Sequence, residues 1–381
     1  MTSESEPVVT SLRRTRKIPA VDDEVWNHVN ALRKEYQLTW NELFQRFAVY
    51  ENGIRYIFEA PQEVTKPTRL DLNTTMALID LWVENMRLNL HTVEDSPTIL
   101  DLRENGNLLG KAGIAVGAGP TLKTYKHLET LKEYNFDGPI IVAGHELKEC
   151  LEAGVVPTHA ILVDANRDLM MAFIDHDIVR EHMKEIKMVF CVSVHPDVVK
   201  AWTGPKYFFY SGIPQSIIPN VDTLLSKMLP NTPYMDTTGN AGGAAYSLAA
   251  FIGCKTIATI GIDFAYPKDQ DPRTTMYWEA YAQSIGAEEG YKDEADLIQK
   301  VYHPFHHPVF GTDCYTDFVY EVFFDAFQQL AKVFNKLYGV TTINATEGGR
   351  LHSAHIRSMK FRKFLDRYGS KKTITTSRPL R

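Results

Sequence analysis

From Lys111 onward, short runs of apolar and β-branched residues alternate with amphipathic stretches. The runs fall at 113–116, 139–143, 160–163, 188–192, 207–210 and 256–262, and the stretches near 122–134, 147–153, 197–202, 221–228 and 241–252. A run that is apolar on both faces needs cover on both sides, and a helix between successive runs is the crossover that parallel strands require. The rhythm therefore predicts an α/β fold: a doubly wound, mostly parallel, Rossmann-like sheet. Sheets of this kind bind ligands beyond the carboxyl ends of their strands, which makes each strand-to-helix junction a candidate site.

The flanks read differently. Residues 1–20 have no hydrophobic period and are expected to be a disordered tail, and 21–94 read as a small helical N-terminal domain, with Val25, Trp26, Val29, Leu32 and Tyr36 near helical spacing. The sheet domain is expected over 95–352, with the polar, His- and Tyr-rich stretch 267–313 as a lid or insertion. A long helix carrying Val322, Phe323, Phe327, Leu330, Val333, Phe334 and Leu337 follows, then a last strand at 341–343 and a final helix over 356–368. From Arg357 to the end, nine Lys and Arg stand against the single acid Asp366, which reads as a solvated helix and basic tail or as a contact for an anionic partner.

Charge narrows the function classes. Lys+Arg 41 against Asp+Glu 47 gives a net charge of −6, which argues against general binding of duplex nucleic acid. The four cysteines lie far apart and read as reduced core thiols. Without an apolar window of membrane-spanning length, the expectation is a cytoplasmic protein with no membrane span.

Four junctions carry possible chemistry. Gly117-Ala118-Gly119-Pro120-Thr121 directly follows the first predicted strand: the glycines allow a tight turn and close backbone approach, and Pro120 is pre-set for a first helical turn whose N–H groups would face a phosphate. The third glycine of the dinucleotide fingerprint and the Lys-Ser/Thr of a P-loop are both absent. At the next site, Asp164-Ala165-Asn166, a carboxylate at a strand end suits ribose hydroxyls or Mg2+, or caps the following helix. Thr238-Gly239-Asn240 opens a helix of small residues, where Asn240 offers a donor and an acceptor to a nucleotide. Finally, Gly261-Ile262-Asp263 ends a strand, and Asp263, a candidate catalytic residue, would together with Asp164 hold Mg2+ over phosphates or orient a substrate hydroxyl if the two share one crevice.

Histidines are less specific. His195 follows a predicted strand, as a general base or as a capping or surface residue. His303, His306 and His307 lack zinc-site spacing. Tyr277, Tyr281, Tyr291 and Tyr302 offer stacking surfaces for a sugar or ring.

Taken in order, GAGPTL, the stretch 150–158 leading to LVDAN, TTGNAGGAA and IGIDFAY resemble the DUF115 family, which includes the 6-hydroxymethylpterin diphosphokinase MptE and the Maf flagellin glycosyltransferases. Asn344-Ala345-Thr346-Glu347-Gly348-Gly349 and the segment 311–317 look like the Maf-like branch, which is similar in fold to sialyltransferases. The resemblance implies a nucleotide-dependent transferase with a nucleotide or nucleotide-sugar cosubstrate and no covalently bound cofactor. It sets Gly117 to Thr121 on the phosphate, Asp164 and Asn240 near the nucleotide, and Glu347, Gly348 and Gly349 beside the transferred group. The leading reading is transfer of a sugar, a nonulosonate from a CMP donor, to a sugar, glycan or protein hydroxyl. One alternative is pyrophosphoryl transfer from ATP with Mg2+ to a hydroxymethylpterin; the other is a non-catalytic nucleotide-binding or scaffold protein.

Overall fold

The structure, a computed structural model, describes residues 69–211, 229, 231–286 and 290–372, with side chains from 77 onward. The expected tail, the N-terminal helical region up to 68, the helix expected at 221–228 and the basic end from 373 lie outside the described residues.

Eight strands form the main sheet: β1 (Ala112–Val116), β2 (Ile140–Ala143), β3 (His159–Leu162), β4 (Lys187–Cys191), β5 (Lys206–Phe209), β6 (Thr256–Ile260), β7 (Thr341–Asn344) and β8 (Ile356–Ser358). Their order is β8-β7-β6-β1-β2-β3-β4-β5, and every neighbouring pair is parallel. Side chains on both faces are buried, among them Ile114, Val116, Ile141, Ile161, Phe190 and Ile257, as continuous apolar runs require. The fold is thus the doubly wound parallel α/β sheet that the alternation predicts.

Around the sheet lie α1 (Arg69–Glu94), α2 (Thr121–Thr124), α3 (His127–Lys132), α4 (Arg167–Ile174), α5 (Pro196–Ala201), α6 (Ala241–Phe251), α7 (Phe318–Tyr338) and α8 (Phe361–Tyr368). The single helix expected over 122–134 is two short ones, because Lys126 takes a left-handed φ of 51° between α2 and α3. The helix expected over 356–368 is corrected in the same way: Ile356–Ser358 pair with β7 as an edge strand, and only Phe361–Tyr368 are helical.

Two amides fix α1 to the carboxyl ends of the strands. Asn85 Nδ2 donates to the carbonyls of Ala165 and Ser193, and Asn89 Nδ2 to those of Val192 and Val194. Both side chains are buried, and their spacing of four places them on one helix face. Loop carbonyls that would otherwise be buried without partners are thereby satisfied.

Between β6 and α7 the chain inserts a three-stranded antiparallel sheet of Tyr266–Pro267, Asp313–Thr316 and His303–His306. Tyr266, Leu297, Val301, Tyr302 and Tyr315 form its own small core. The tyrosines expected to stack on a sugar are used there instead: Tyr281 and Tyr302 pack edge to face at 6.0 Å and Tyr277 packs on Tyr320 at 5.8 Å, while Tyr291 lies beneath the Lys300 ammonium.

Candidate functional site at the strand-order reversal

After β1 the chain steps outward through β2 to β5, then returns to lay β6 against the other side of β1. Connections on the two sides of this point diverge, and a crevice opens at the carboxyl ends of β1 and β6. Three loops meet there, at 117–121, 261–265 and 345–350.

The glycine turn is bonded tightly to the loop after β6. Gly117 N–H donates to the Ile260 carbonyl at 2.9 Å, and Gly119 N–H to that of Gly261 at 2.7 Å. A Cβ at Gly117 would strike the Gly261 carbonyl, and one at Gly119 the Asp263 carboxyl. Only glycine permits this approach of two backbones.

Asp263 lies at the centre and is 3% exposed. Its Oδ2 accepts the Thr121 N–H at 2.8 Å and its Oδ1 the Thr121 hydroxyl at 2.5 Å, while its carbonyl accepts from Arg350 N–H at 2.7 Å. Burial pushes the carboxyl up to about 6, against the pull of the Thr121 donors and of His127. A donor at the start of α2 that sequence assigns to a phosphate is therefore already bonded to a carboxyl.

Glu347 stands on the far side of this crossing with φ at 61°, a left-handed conformation that costs a side-chain-bearing residue on the order of 1–2 kcal/mol. Its Oε1 accepts Phe361 N–H at 3.0 Å and lies 3.8 Å from His127 Nε2, an ion-pair distance rather than a hydrogen bond. Burial raises the Glu347 carboxyl, but His127, the Phe361 N–H and Lys360 outweigh it and leave the group below its usual range. His127 is 1% exposed, packs edge-on to Phe361, and has no hydrogen-bond partner for either ring nitrogen among the described residues. A buried imidazole in that state is costly in a finished fold and points to a role at the site. In front of Glu347 opens a cleft of about 320 Å³ lined by Tyr125, Thr130, Glu347, Lys360, Phe361 and Arg362. Burial, then the charges of Glu347 and Asp263, raise the Tyr125 phenol.

Other expected site residues have mainly structural bonds. Asn240 caps α6: its Oδ1 accepts Gly243 N–H at 2.7 Å and its Nδ2 donates to Thr238. Thr238 and Gly239 form the left-handed turn before it. The first-turn N–H groups of Ala241 and Gly242 have no partner among the described residues, and Gly242 lies against Ile262 in the loop after β6. Asp164 accepts Asn166 N–H, and Asn166 caps α4 through Leu169 N–H.

Asp164 and Asp263 do not share a crevice. They follow β3 and β6, with β1 and β2 between, a separation of about 14 Å at ~4.8 Å per strand step. His195 also differs from expectation, because it caps α5: its Nδ1 accepts Asp197 N–H at 3.2 Å, at the end of β4 and well away from the β1–β6 crevice. His307 is buried with Nδ1 accepting from Val309 and Phe310, His306 pairs with Asp313, and His303 is exposed, so the three do not converge.

Two groups carry no signal in the sequence. His127 sits within an amphipathic run and reads as ordinary core. Glu146, at the end of β2, is buried beside Glu149 with an unpartnered Oε2, and burial followed by repulsion from Glu149 pushes it up to about 7.

Fold and site together define a doubly wound α/β protein with a glycine turn at its switch point and, nearby, a cleft in which Glu347 is backed by His127. Residues 84–269 match the family model described as 6-hydroxymethylpterin diphosphokinase MptE-like, in agreement with the resemblance that the motifs carry. Among solved structures the chain is similar to the Maf glycosyltransferase from Magnetospirillum magneticum AMB-1, with 15% identity and a TM-score of 0.46 over 66% of this chain; it spans 34% of that protein's length. No curated protein sequence matches the chain significantly. Among the described residues, no helix is long and apolar enough to cross a membrane.

Proposed function

We propose that the chain is a nucleotide-dependent glycosyltransferase that moves a sugar, a nonulosonate from a CMP donor, to a hydroxyl acceptor in the cleft before Glu347. The observation that carries this reading is the Glu347–His127 pair: a carboxylate fixed by strained backbone, with an unpartnered imidazole behind it and open space in front. Glu347 takes the proton of the acceptor hydroxyl. The acceptor oxygen bonds to the anomeric carbon as the bond from that carbon to the donor phosphate oxygen breaks, and the electron pair leaves with the phosphate. His127 is a positioning residue that stands 3.8 Å behind the carboxylate. The open first turn of α6, with the Ala241 and Gly242 N–H groups, receives the departing phosphate beside the glycine turn, whose Gly117, Gly119 and Thr121 N–H groups are already bonded.

Glu347→Gln keeps shape and removes the base, so transfer should fall about 10²- to 10⁴-fold while CMP affinity stays within a factor of about two. Unchanged transfer in this variant removes Glu347 from the reaction.

The family description favours a second reading, pyrophosphoryl transfer from ATP to a hydroxymethylpterin. Asp164 and Asp263, the two carboxylates expected to hold the Mg2+ which that chemistry uses, stand at separate strand ends, so a metal there would rest on one of them together with the substrate phosphates. Turnover of ATP and a hydroxymethylpterin to the pterin diphosphate and AMP would establish this reading in place of the first.

A further inference from the structure

A second, more basic cleft adjoins the first. It has a volume of about 530 Å³, is lined by Phe310, Arg357, Ser358, Met359, Lys360 and Lys363 with Asp366 as its one carboxylate, and shares Lys360 and Arg362 with the cleft before Glu347. Both volumes fall in the range of small-molecule sites.

Three features of this groove are unfavourable for folding alone. Arg357, Lys360 and Lys363 are exposed and make no ion pair among the described residues, whereas Arg362 is held by Glu133 at 2.9 Å. Lys360, Arg362 and Lys363 crowd the start of α8, which has no acid in its first turn and no side-chain cap, so like charges meet the positive end of the helix dipole. The Ser358 hydroxyl, at the carboxyl end of β8, is buried and has no hydrogen-bond partner among the described residues. All three costs are relieved by one ligand: an anion with several acceptor oxygens.

We infer that this groove is an acceptor subsite for a soluble phosphate ester. Arg357, Lys360, Lys363 and the Ser358 hydroxyl take the phosphate, and Phe310 and Met359 cover the apolar side of its body. Lys360 is the chain neighbour of Phe361, whose N–H holds Glu347. A phosphate at Lys360 therefore sets a hydroxyl on the same small molecule within reach of the Glu347 carboxylate. The inference rests on the transfer reading above, to which it adds the acceptor's chemical class.

The test uses the full chain, with inorganic pyrophosphate and CMP as separate calorimetric probes, and compares the unaltered protein with the Arg357→Gln/Lys363→Gln double variant. Both substitutions are at exposed positions, and thermal unfolding checks that the variant folds. Pyrophosphate should bind the unaltered protein and bind the variant at least about tenfold more weakly, as expected for loss of charge-assisted hydrogen bonds. CMP affinity should be the same in both proteins, and each ligand should bind in the presence of the other. Equal pyrophosphate binding by the two proteins, or displacement of pyrophosphate by CMP, overturns the subsite. So does a response confined to phosphatidic acid vesicles, which would assign the groove to a lipid headgroup. Pyrophosphate binding that is lost in the variant, in a protein that never binds CMP, keeps the anion groove and removes the donor reading.

Discussion

Thr121 gives both its backbone N–H and its hydroxyl to the carboxyl of Asp263, 142 residues further along the chain. This pair closes the crevice from below: it joins the turn after β1 to the loop after β6 and commits the first donor of α2. Replacing both partners should cost less than the sum of the single replacements. A double-mutant cycle of Thr121→Val and Asp263→Asn, followed by chemical denaturation, should give a coupling energy of about 1–3 kcal/mol. Additive effects would mean that the pair does not act as a unit.

The same carboxyl predicts a pH dependence of ligand binding. With Asp263 raised to about 6, the crevice gains a negative charge as pH climbs through that value, and an anionic nucleotide is bound less well. The ratio of CMP affinity in the unaltered protein to that in Asp263→Asn should therefore fall between about pH 5 and 7.5, a comparison in which the ionisation of the CMP phosphate at about pH 6 cancels. A fall of equal size in the variant would assign the titration to another group.

Glu146 predicts a pH dependence of stability. Its folded value near 7 lies above its ordinary 4.5, so the folded state favours the protonated carboxyl. The favourable contribution is complete below about pH 4.5 and is lost as pH rises through 7, a change on the order of 3 kcal/mol with Glu149 as the repelling neighbour and Lys123 as the opposing cation. Glu146→Gln should stabilise the protein at pH 8 and have little effect at pH 4, as read from denaturation midpoints. The opposite order would contradict the assignment.

Asn89 offers a test of how α1 is held. Asn89→Ala leaves the carbonyls of Val192 and Val194 without their donor, and should destabilise by on the order of 2 kcal/mol. Hydrogen exchange should rise in α1 and in the loop after β4 before it rises in β1. Uniform loss of protection would mean that the two amides do not fix α1 locally.

Much of the architecture is legible in the sequence because buried parallel strands read as unbroken apolar runs. The runs at 113–116 and 256–262 overlap β1 and β6, and the glycine turn and Gly-x-Asp fall where a strand must end. The short edge strand Ile356–Ser358 is not legible, since three residues have no period and the following Lys-rich segment reads as helix. Side-chain roles are harder still. A histidine after a strand looks the same whether it acts or caps, and His195 caps; a histidine in an amphipathic run looks like core, and His127 stands behind Glu347. Glu347 itself is visible only through its motif, because its left-handed backbone gives no cue in residue type. The tyrosines of 277–302 pack into a local core whose partners, Tyr266, Tyr315 and Tyr320, are brought in from either side of the insertion.

The central claim is that the crevice between β1 and β6 receives a nucleotide phosphate for glycosyl transfer. The most direct measurement is the shift in unfolding temperature of the unaltered protein and of Gly119→Ala with CMP, UDP, GDP and ATP, each with and without Mg2+. A ligand that binds only the folded state raises that temperature by mass action, and a Cβ at Gly119 would strike the Asp263 carboxyl. The account predicts stabilisation by CMP that needs no metal and is lost in Gly119→Ala; stabilisation by ATP with Mg2+ alone, or a CMP response unchanged in the variant, would contradict it.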